Sequence, residues 1–280
     1  MNFSRISAVI LDMDGVLWRG ETPMPGLDDT FAWLDERGIP CALLTNNSGK
    51  TQAQYVEKLA RMGVHSVPER QILTSAIATA DDLAQHYPAG TRVYVVGMDG
   101  VRIALDAAGF DVVGEGEPAD VVVAGIDVTL TYAKIKHAAD LVRAGAPFIG
   151  TNGDLTFPAA DGLNPGAGTV LAAIQAASGT PPRVIGKPAR PMFESALRLL
   201  GVPAERALMV GDRLDTDIAG AQQAGLQTAL VLSGVTTPDL LASASVWPDV
   251  AYEHLAALVR AWAGDAWMTE RARAKRNSAR

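Results

Sequence analysis

The sequence predicts an α/β fold, and three observations carry that prediction. Short, nearly all-apolar runs alternate with segments of helical period along the chain, the pattern of strands connected by helices. The apolar runs show no in–out alternation, as expected of parallel strands covered by helices on both faces. The length of 280 residues, with 48% hydrophobic and 20% charged side chains, gives about two domains, excludes disorder as the main state and supplies a core that needs no staples.

The first strand is the run AVIL, 8–11, and the second is CALL, 41–44. Between them a helix is expected over 27–37, with Leu27, Phe31 and Leu34 on one face. A second helix, 51–62, opens on Thr51 and Gln54 at capping-box spacing and buries Tyr55, Leu59 and Met62. Gly38 and Gly63 stand where these helices should stop. The middle of the chain reads as another α/β set. Its strands are 92–97, 121–125 and 147–150, and its helices are 131–144 and 167–178. The stretches 158–168 and 179–183 are rich in Gly and Pro and read as loops, the second a hinge. With a second boundary at 78–80, residues 79–183 form an inserted α/β domain, and 1–78 together with 184–280 form the core. The core resumes with a helix over 190–200 and strands ALMV, 207–210, and TALVL, 228–232. An amphipathic helix is expected over 251–264. The tail 268–280, with five basic residues and one acidic, is read as frayed and solvated.

Composition narrows the function. Asp and Glu outnumber Lys and Arg 31 to 24, for a formal net charge of −7, and the pI is near 5.1. This argues against nucleic-acid partners. The single cysteine, Cys41, allows no intrachain disulfide, excludes a cysteine-rich zinc site and fits a reducing, cytoplasmic setting. No apolar run approaches a membrane span of roughly 18 residues, and the N-terminal apolar stretch reads as a strand rather than a signal peptide.

Three strand ends carry polar clusters. DMDGV, Asp12 to Val16, follows the first strand directly. Residues i and i+2 of an extended chain point the same way, so Asp12 and Asp14 are expected to face one site, with Gly15 allowing a sharp turn. The second strand leads into Thr45-Asn46-Asn47-Ser48, and ALMV leads into Gly211-Asp212-Arg213-Leu214-Asp215-Thr216-Asp217. Ligands of open α/β sheets bind beyond the carboxyl ends of the strands, so these clusters should share one crevice. Gly186-Lys187-Pro188 adds a cation just before helix 190–200. Asp12, Asp14, Asp212 and Asp217 with Lys187 leave a strongly negative balance, and clustered carboxylates protonate or take a cation. The ligands on offer are oxygens, which favours Mg²⁺ over zinc. Mg²⁺ with Lys187 would then bind a phosphate dianion in spite of the acidic chain.

DMDGV, TNNS, GKP and GDRLDTD, in this order over roughly residues 7–235, resemble the haloacid dehalogenase (HAD) superfamily of aspartate-nucleophile phosphatases. The insert between TNNS and GKP is similar to the cap domain of the NagD-like class, as are TNGD (151–154) and PGAG (165–168). The resemblance implies a Rossmann-like parallel-sheet core under an α/β cap, and a Mg²⁺-dependent phosphatase of small phosphorylated metabolites: nucleotide, sugar, phosphoglycolate or glycerol phosphates, with 4-nitrophenyl phosphate as a reporter. It implies Asp12 as the nucleophile that becomes aspartyl-phosphate and Asp14 as general acid and base. Mg²⁺ would be held by Asp12, Asp212 and the Asp14 main-chain carbonyl. Thr45, Asn46, Asn47 and Lys187 would bind the phosphate, and Asp217 would orient Lys187 or a metal-bound water. By analogy the class also implies a homodimer through the cap. Two other readings share the motifs: a phosphotransferase or mutase of the same superfamily, and a non-catalytic phospho-ligand sensor.

Several residues have plainer readings. Ser48 reads as a helix cap, Asp215 as a helix N-terminal or surface carboxylate, and Cys41 as core. His65, His86, His137 and His254 lie outside every motif and read as surface or packing residues. The MDG at 98–100 reads as a strand-to-helix turn. Trp18 either touches substrate or packs a flap, and TNGD and PGAG either contact substrate or merely connect.

Overall fold

Ala8–Asp12, Cys41–Thr45 and Ala207–Gly211 are strands in which every residue is buried, because their apolar runs face helices on both sides. Full burial of side chains such as Ile10, Leu11 and Leu43 stabilises the sheet by about 1.5–3 kcal/mol each. The computed structural model describes residues 1–159 and 162–278. The chain divides into two compact units, Met1–Leu43 with Val56–Gln71 and Ala196–Arg280, and Leu44–Tyr55 with Ile72–Ser195.

In the first unit, Ala8–Asp12 pairs in parallel with Ala207–Gly211, with Ala8 opposite Ala207 and Leu11 opposite Val210. Ala207–Gly211 pairs with Gln227–Val231, and that strand with Val250–Tyr252, again in parallel. Cys41–Thr45, whose first three residues belong to this unit, lies on the other side of Ala8–Asp12. The chain therefore steps one way from its first strand and later returns on the opposite side. That reversal is the switch point at which open α/β sheets form their crevice, and Asp12 and Asp212 stand at the carboxyl ends there. This is the predicted Rossmann-like α/β core.

The second unit has its own parallel sheet, in the order Arg183–Val184, Phe148–Gly150, Val121–Ala124, Arg92–Val96 and Asp111–Val113. Tyr94, Val96, Val122 and Phe148 from this sheet pack with Val142, Val170, Leu171 and Ile174 from the helices Tyr132–Arg143 and Ala167–Ser178. Asp99 opens the helix Asp99–Ala107, so the MDG at 98–100 is the strand-to-helix turn expected of it.

Local chemistry explains most element ends. Thr51 and Gln54 form the reciprocal capping box: the Thr51 N–H donates to Gln54 Oε1 at 2.9 Å and the Gln54 N–H to Thr51 Oγ1 at 3.4 Å. The helix then runs Gln52–Arg61, with Tyr55 and Leu59 buried and Met62 only half-buried. The helix Leu27–Glu36 buries Leu27, Phe31 and Leu34, with Thr30 and Trp33 beside them.

Four further expectations change. Ser48 does not cap a helix; it is fully buried and accepts a hydrogen bond from Thr151 Oγ1, and Thr51 takes the capping role. The stretch 158–168 is not all loop: Thr156–Ala159 and Gly162–Pro165 pair as two antiparallel strands. The C-terminal helix begins at Leu255, capped by His254 Nδ1, because Val250–Tyr252 joins the sheet. The tail is helical from Asp265 to Ser278. Its Ala, Arg and Lys content favours that state, and Arg271 pairs with Asp28 and Asp29 in the first turn of Leu27–Glu36. Residues 279 and 280 of the tail lie outside the described residues.

Candidate active site

In the first unit the chain reverses sharply after Asp12. The carbonyl of Met13 accepts from the N–H groups of Val16, Leu17 and Trp18, and the Gly15 N–H donates to the Trp18 carbonyl at 2.8 Å. Gly15 has φ of 89°, a conformation L side chains rarely adopt. The reversal brings the Trp18 indole back to Asp14, where Nε1 donates to Oδ1 at 2.8 Å.

Asp212 follows the strand Ala207–Gly211 and sends its carboxylate toward this turn. Its Oδ2 accepts the Val235 N–H at 2.6 Å. A Cβ on either Gly15 or Gly234 would overlap that same oxygen, so both positions must be glycine for Asp212 to lie where it does. Leu214–Ile218 then makes one π-helical turn, closed by the Ile218 N–H on the Arg213 carbonyl at 3.2 Å. Such wide turns recur at functional sites. This one carries Asp217 back, so that its Oδ2 accepts the N–H groups of Asp212 and Arg213, both at 3.1 Å.

Asp12, Asp212 and Asp217 are buried, and each offers a carboxylate oxygen within 4.8 Å of the others. At that separation each like-charged pair costs about 3 kcal/mol even at an effective dielectric of 20. A cluster of this kind holds protons or a cation. Its donors are all hard carboxylate oxygens, which suit a divalent ion such as Mg²⁺ and not a thiolate-seeking metal. The residues present therefore fit the expected metal. The Asp14 carboxylate is not part of this trio. Asp215 is also apart, paired with Arg213 at 2.9 Å, and the Arg213 hydrogen bond holds its pKa below the ordinary carboxylate range.

In the second unit, three polar turns are laced together through Asn46. Its Nδ2 donates to Asp154 Oδ2 and to the Lys187 carbonyl, each at 3.0 Å. Its carbonyl accepts from Asn152 Nδ2 and Ser75 Oγ, each at 2.6 Å. Both Nδ2 hydrogens are thus engaged within the protein. Thr45 Oγ1 accepts the Asn47 N–H at 3.1 Å, and Asn47 Oδ1 accepts the Gly49 N–H at 2.8 Å. Lys187 is only 4% exposed and follows Gly186, whose N–H donates to the Thr151 carbonyl.

Sequence reasoning singled out TNGD without assigning it a partner; Asn152 and Asp154 turn out to anchor Asn46. It missed Ser75, Gly234 and the Val235 amide altogether. A serine at a helix start, a glycine and a main-chain N–H carry no chemical signature in a single sequence.

Residues 9–111 match the family described as haloacid dehalogenase-like hydrolase, and residues 184–258 match one described as HAD-hydrolase-like. Acid sugar phosphatase of Staphylococcus aureus strain USA300 is 38% identical over 248 residues, which are 89% of this chain and 95% of the relative. The chain belongs to the haloacid dehalogenase-like hydrolases. Solved structures agree in fold as well as sequence. The 4-nitrophenylphosphatase of Thermotoga maritima superposes with a TM-score of 0.87 at 36% identity, covering 92% of this chain and 98% of its own. NagD from E. coli K-12 gives 0.83 at 35% identity, covering 90% and 97%. Within the HAD hydrolases this chain is a NagD-like phosphatase, and hence a phosphomonoesterase.

Proposed function

We propose that this HAD phosphatase is a cytoplasmic, Mg²⁺-dependent enzyme that hydrolyses small-molecule phosphomonoesters, sugar phosphates foremost, through an aspartyl-phosphate on Asp12. The observation that carries the reading is the buried trio Asp12, Asp212 and Asp217 at the carboxyl ends of parallel strands. The phosphatase names of the relatives point to small phosphate esters.

The assigned chemistry balances over two steps. An Asp12 carboxylate oxygen attacks phosphorus, the bond from phosphorus to the ester oxygen breaks, and the leaving oxygen takes the proton of Asp14. An alcohol departs. Water then attacks the aspartyl-phosphate and gives its proton to Asp14. The bond from phosphorus to Asp12 breaks, releasing inorganic phosphate and restoring both carboxyl groups. Thr45, the main-chain N–H of Asn46, Asn47 and Lys187 are assigned to the phosphate oxygens, as the order of the motifs implies. Asp12, Asp212 and the Asp14 carbonyl would hold Mg²⁺, and Asp217 fixes the Asp212 main chain through its Oδ2. Bound there, Mg²⁺ supplies positive charge against the carboxylates and the phosphate dianion. Phosphoryl transfer depends mainly on positioning and electrostatics, so this set of groups suffices.

The test is phosphate release from 4-nitrophenyl phosphate and a panel of sugar, glycerol and nucleotide phosphates, with Mg²⁺ and with EDTA, beside Asp12→Asn. Mg²⁺-dependent release that Asp12→Asn loses supports the reading. Full turnover by Asp12→Asn overturns the covalent route, and phosphate transfer to an added alcohol in place of water marks a phosphotransferase.

A further inference from the structure

Trp18 lies beside the Asp14 carboxylate without being one of the groups that the phosphatase chemistry requires. It is fully buried, and its ring is held on more than one side. The turn Asp14–Trp18 closes through the Gly15 N–H on the Trp18 carbonyl and through a single β-bridge between Asp14 and Trp18. Lys58 Nζ stands 4.4 Å from the ring centroid. That ammonium is itself anchored, donating to the Gly20 carbonyl at 2.7 Å and pairing with Glu21 at 3.5 Å. A buried cation over an indole face is a cation–π contact, and the ring is its fixed partner. The one polar atom of the indole, Nε1, meets Asp14 Oδ1 at 2.8 Å. An indole N–H is donor only, so it can meet only an acceptor there.

We propose that Trp18 is a positioning residue for Asp14: its N–H ties down Oδ1, and Lys58 braces the ring, so that Asp14 presents Oδ2 to the ester oxygen of the leaving group. This inference rests on the phosphatase reading, in which Asp14 gives a proton to that oxygen. Asp14 is exposed, and an exposed carboxylate on a two-torsion side chain samples several rotamers. The indole removes that freedom at no cost in motion of its own, because the ring is already packed. Efficient proton transfer needs the donor within hydrogen-bond reach of the leaving oxygen.

Leaving groups of different basicity separate this role from a packing role. An alkoxide leaving from glycerol phosphate needs the proton of Asp14, whereas 4-nitrophenolate leaves without one. The quantity to measure is kcat/KM, which reports on steps up to the first phosphoryl transfer, for both substrates in wild type, Trp18→Phe and Lys58→Met. Trp18→Phe keeps a six-membered aromatic ring but removes the N–H together with the pyrrole half of the indole, a packing loss that would fall equally on both substrates. It should lower kcat/KM for glycerol phosphate by about 10- to 100-fold, part of the 10²–10⁴ that general acid catalysis contributes. The loss for 4-nitrophenyl phosphate should be at least about tenfold smaller. Lys58→Met should shift the ratio in the same direction by a smaller factor, and it carries the test if Trp18→Phe does not fold. An equal loss for both substrates, or no loss for either, overturns the proposal. A wild-type enzyme that releases phosphate from neither substrate overturns the phosphatase reading instead.

Discussion

Asn46 and Asp154, 108 positions apart in the sequence, are joined by a hydrogen bond of 3.0 Å from Nδ2 to Oδ2. The bond turns a loop that follows one strand into a fixed part of two others, because the second Nδ2 hydrogen goes to the Lys187 carbonyl. Asp154 therefore governs where Thr45, Asn47 and Lys187 stand, without needing to meet a ligand. Hydrogen bonds to charged groups contribute about 1.5–3 kcal/mol, so Asp154→Ala should lower kcat/KM by about tenfold or more. Asp154→Asn keeps an acceptor oxygen and should lose less. Steady-state kinetics on 4-nitrophenyl phosphate compare the two.

Gly234 is a more severe test of the carboxylate trio. A methyl group there would occupy the place of Asp212 Oδ2, so Gly234→Ala must push Asp212 off the Val235 amide. Misplacement of a reacting group by about 1 Å costs on the order of 10²-fold. The variant should fold, by circular dichroism, and lose about 100-fold in kcat.

Metal removal should act on stability as well as rate. The three buried carboxylates repel one another without a cation, so EDTA should abolish phosphate release and Mg²⁺ restore it. A ligand bound only to the folded state at 100 times its Kd stabilises by about 2.7 kcal/mol. Thermal melts across a Mg²⁺ titration should therefore rise in Tm, and Asp212→Asn should flatten that rise.

Asp127, in the second unit, gives a pH signature unrelated to the active site. Burial pushes its carboxyl up, but hydrogen bonds from Lys134 and Thr129 more than reverse this, so it titrates below the ordinary carboxylate range. The Lys134 bond is 2.7 Å long. A carboxyl with a depressed folded pKa adds stability above its unfolded pKa of about 3.9 and loses it as pH falls through the folded value. Asp127→Asn should cost about 1–2 kcal/mol at neutral pH. Urea melts should show that gap closing as pH falls below about 4.

Much of this architecture is legible in the sequence because parallel strands write themselves as unbroken apolar runs. Ala8–Asp12, Cys41–Thr45 and Ala207–Gly211 stand within a residue of the runs that predict them. The polar clusters at their ends could be read for the same reason: a charged group directly after a buried strand has few places to go. The pairing of Thr156–Ala159 with Gly162–Pro165 was hidden because its Gly, Pro and Asn residues look like loop, and Gly162–Pro165 is exposed. The tail helix Asp265–Ser278 was hidden because its anchor, Arg271 on Asp28 and Asp29, joins residues too far apart for any local pattern. The sequence led to Asn46 as an expected phosphate ligand; it did not show Asn46 as a tie between turns. Its partners Ser75 and Asn152 come from other turns, and only the folded chain shows that both donors of its amide are taken.

The Asp212 carboxylate is received by a turn near the start of the chain, at Gly15, and by main chain near its end, at Gly234 and Val235. The amide that seats Asp212 lies at residue 235, more than 200 positions after Asp12 in the chain. Any polypeptide that ends between these two points holds Asp12 but lacks the amide that seats Asp212. If Asp12 is the nucleophile, turnover reports that two stretches far apart in the sequence have closed against each other, with Ala8–Asp12 paired to Ala207–Gly211.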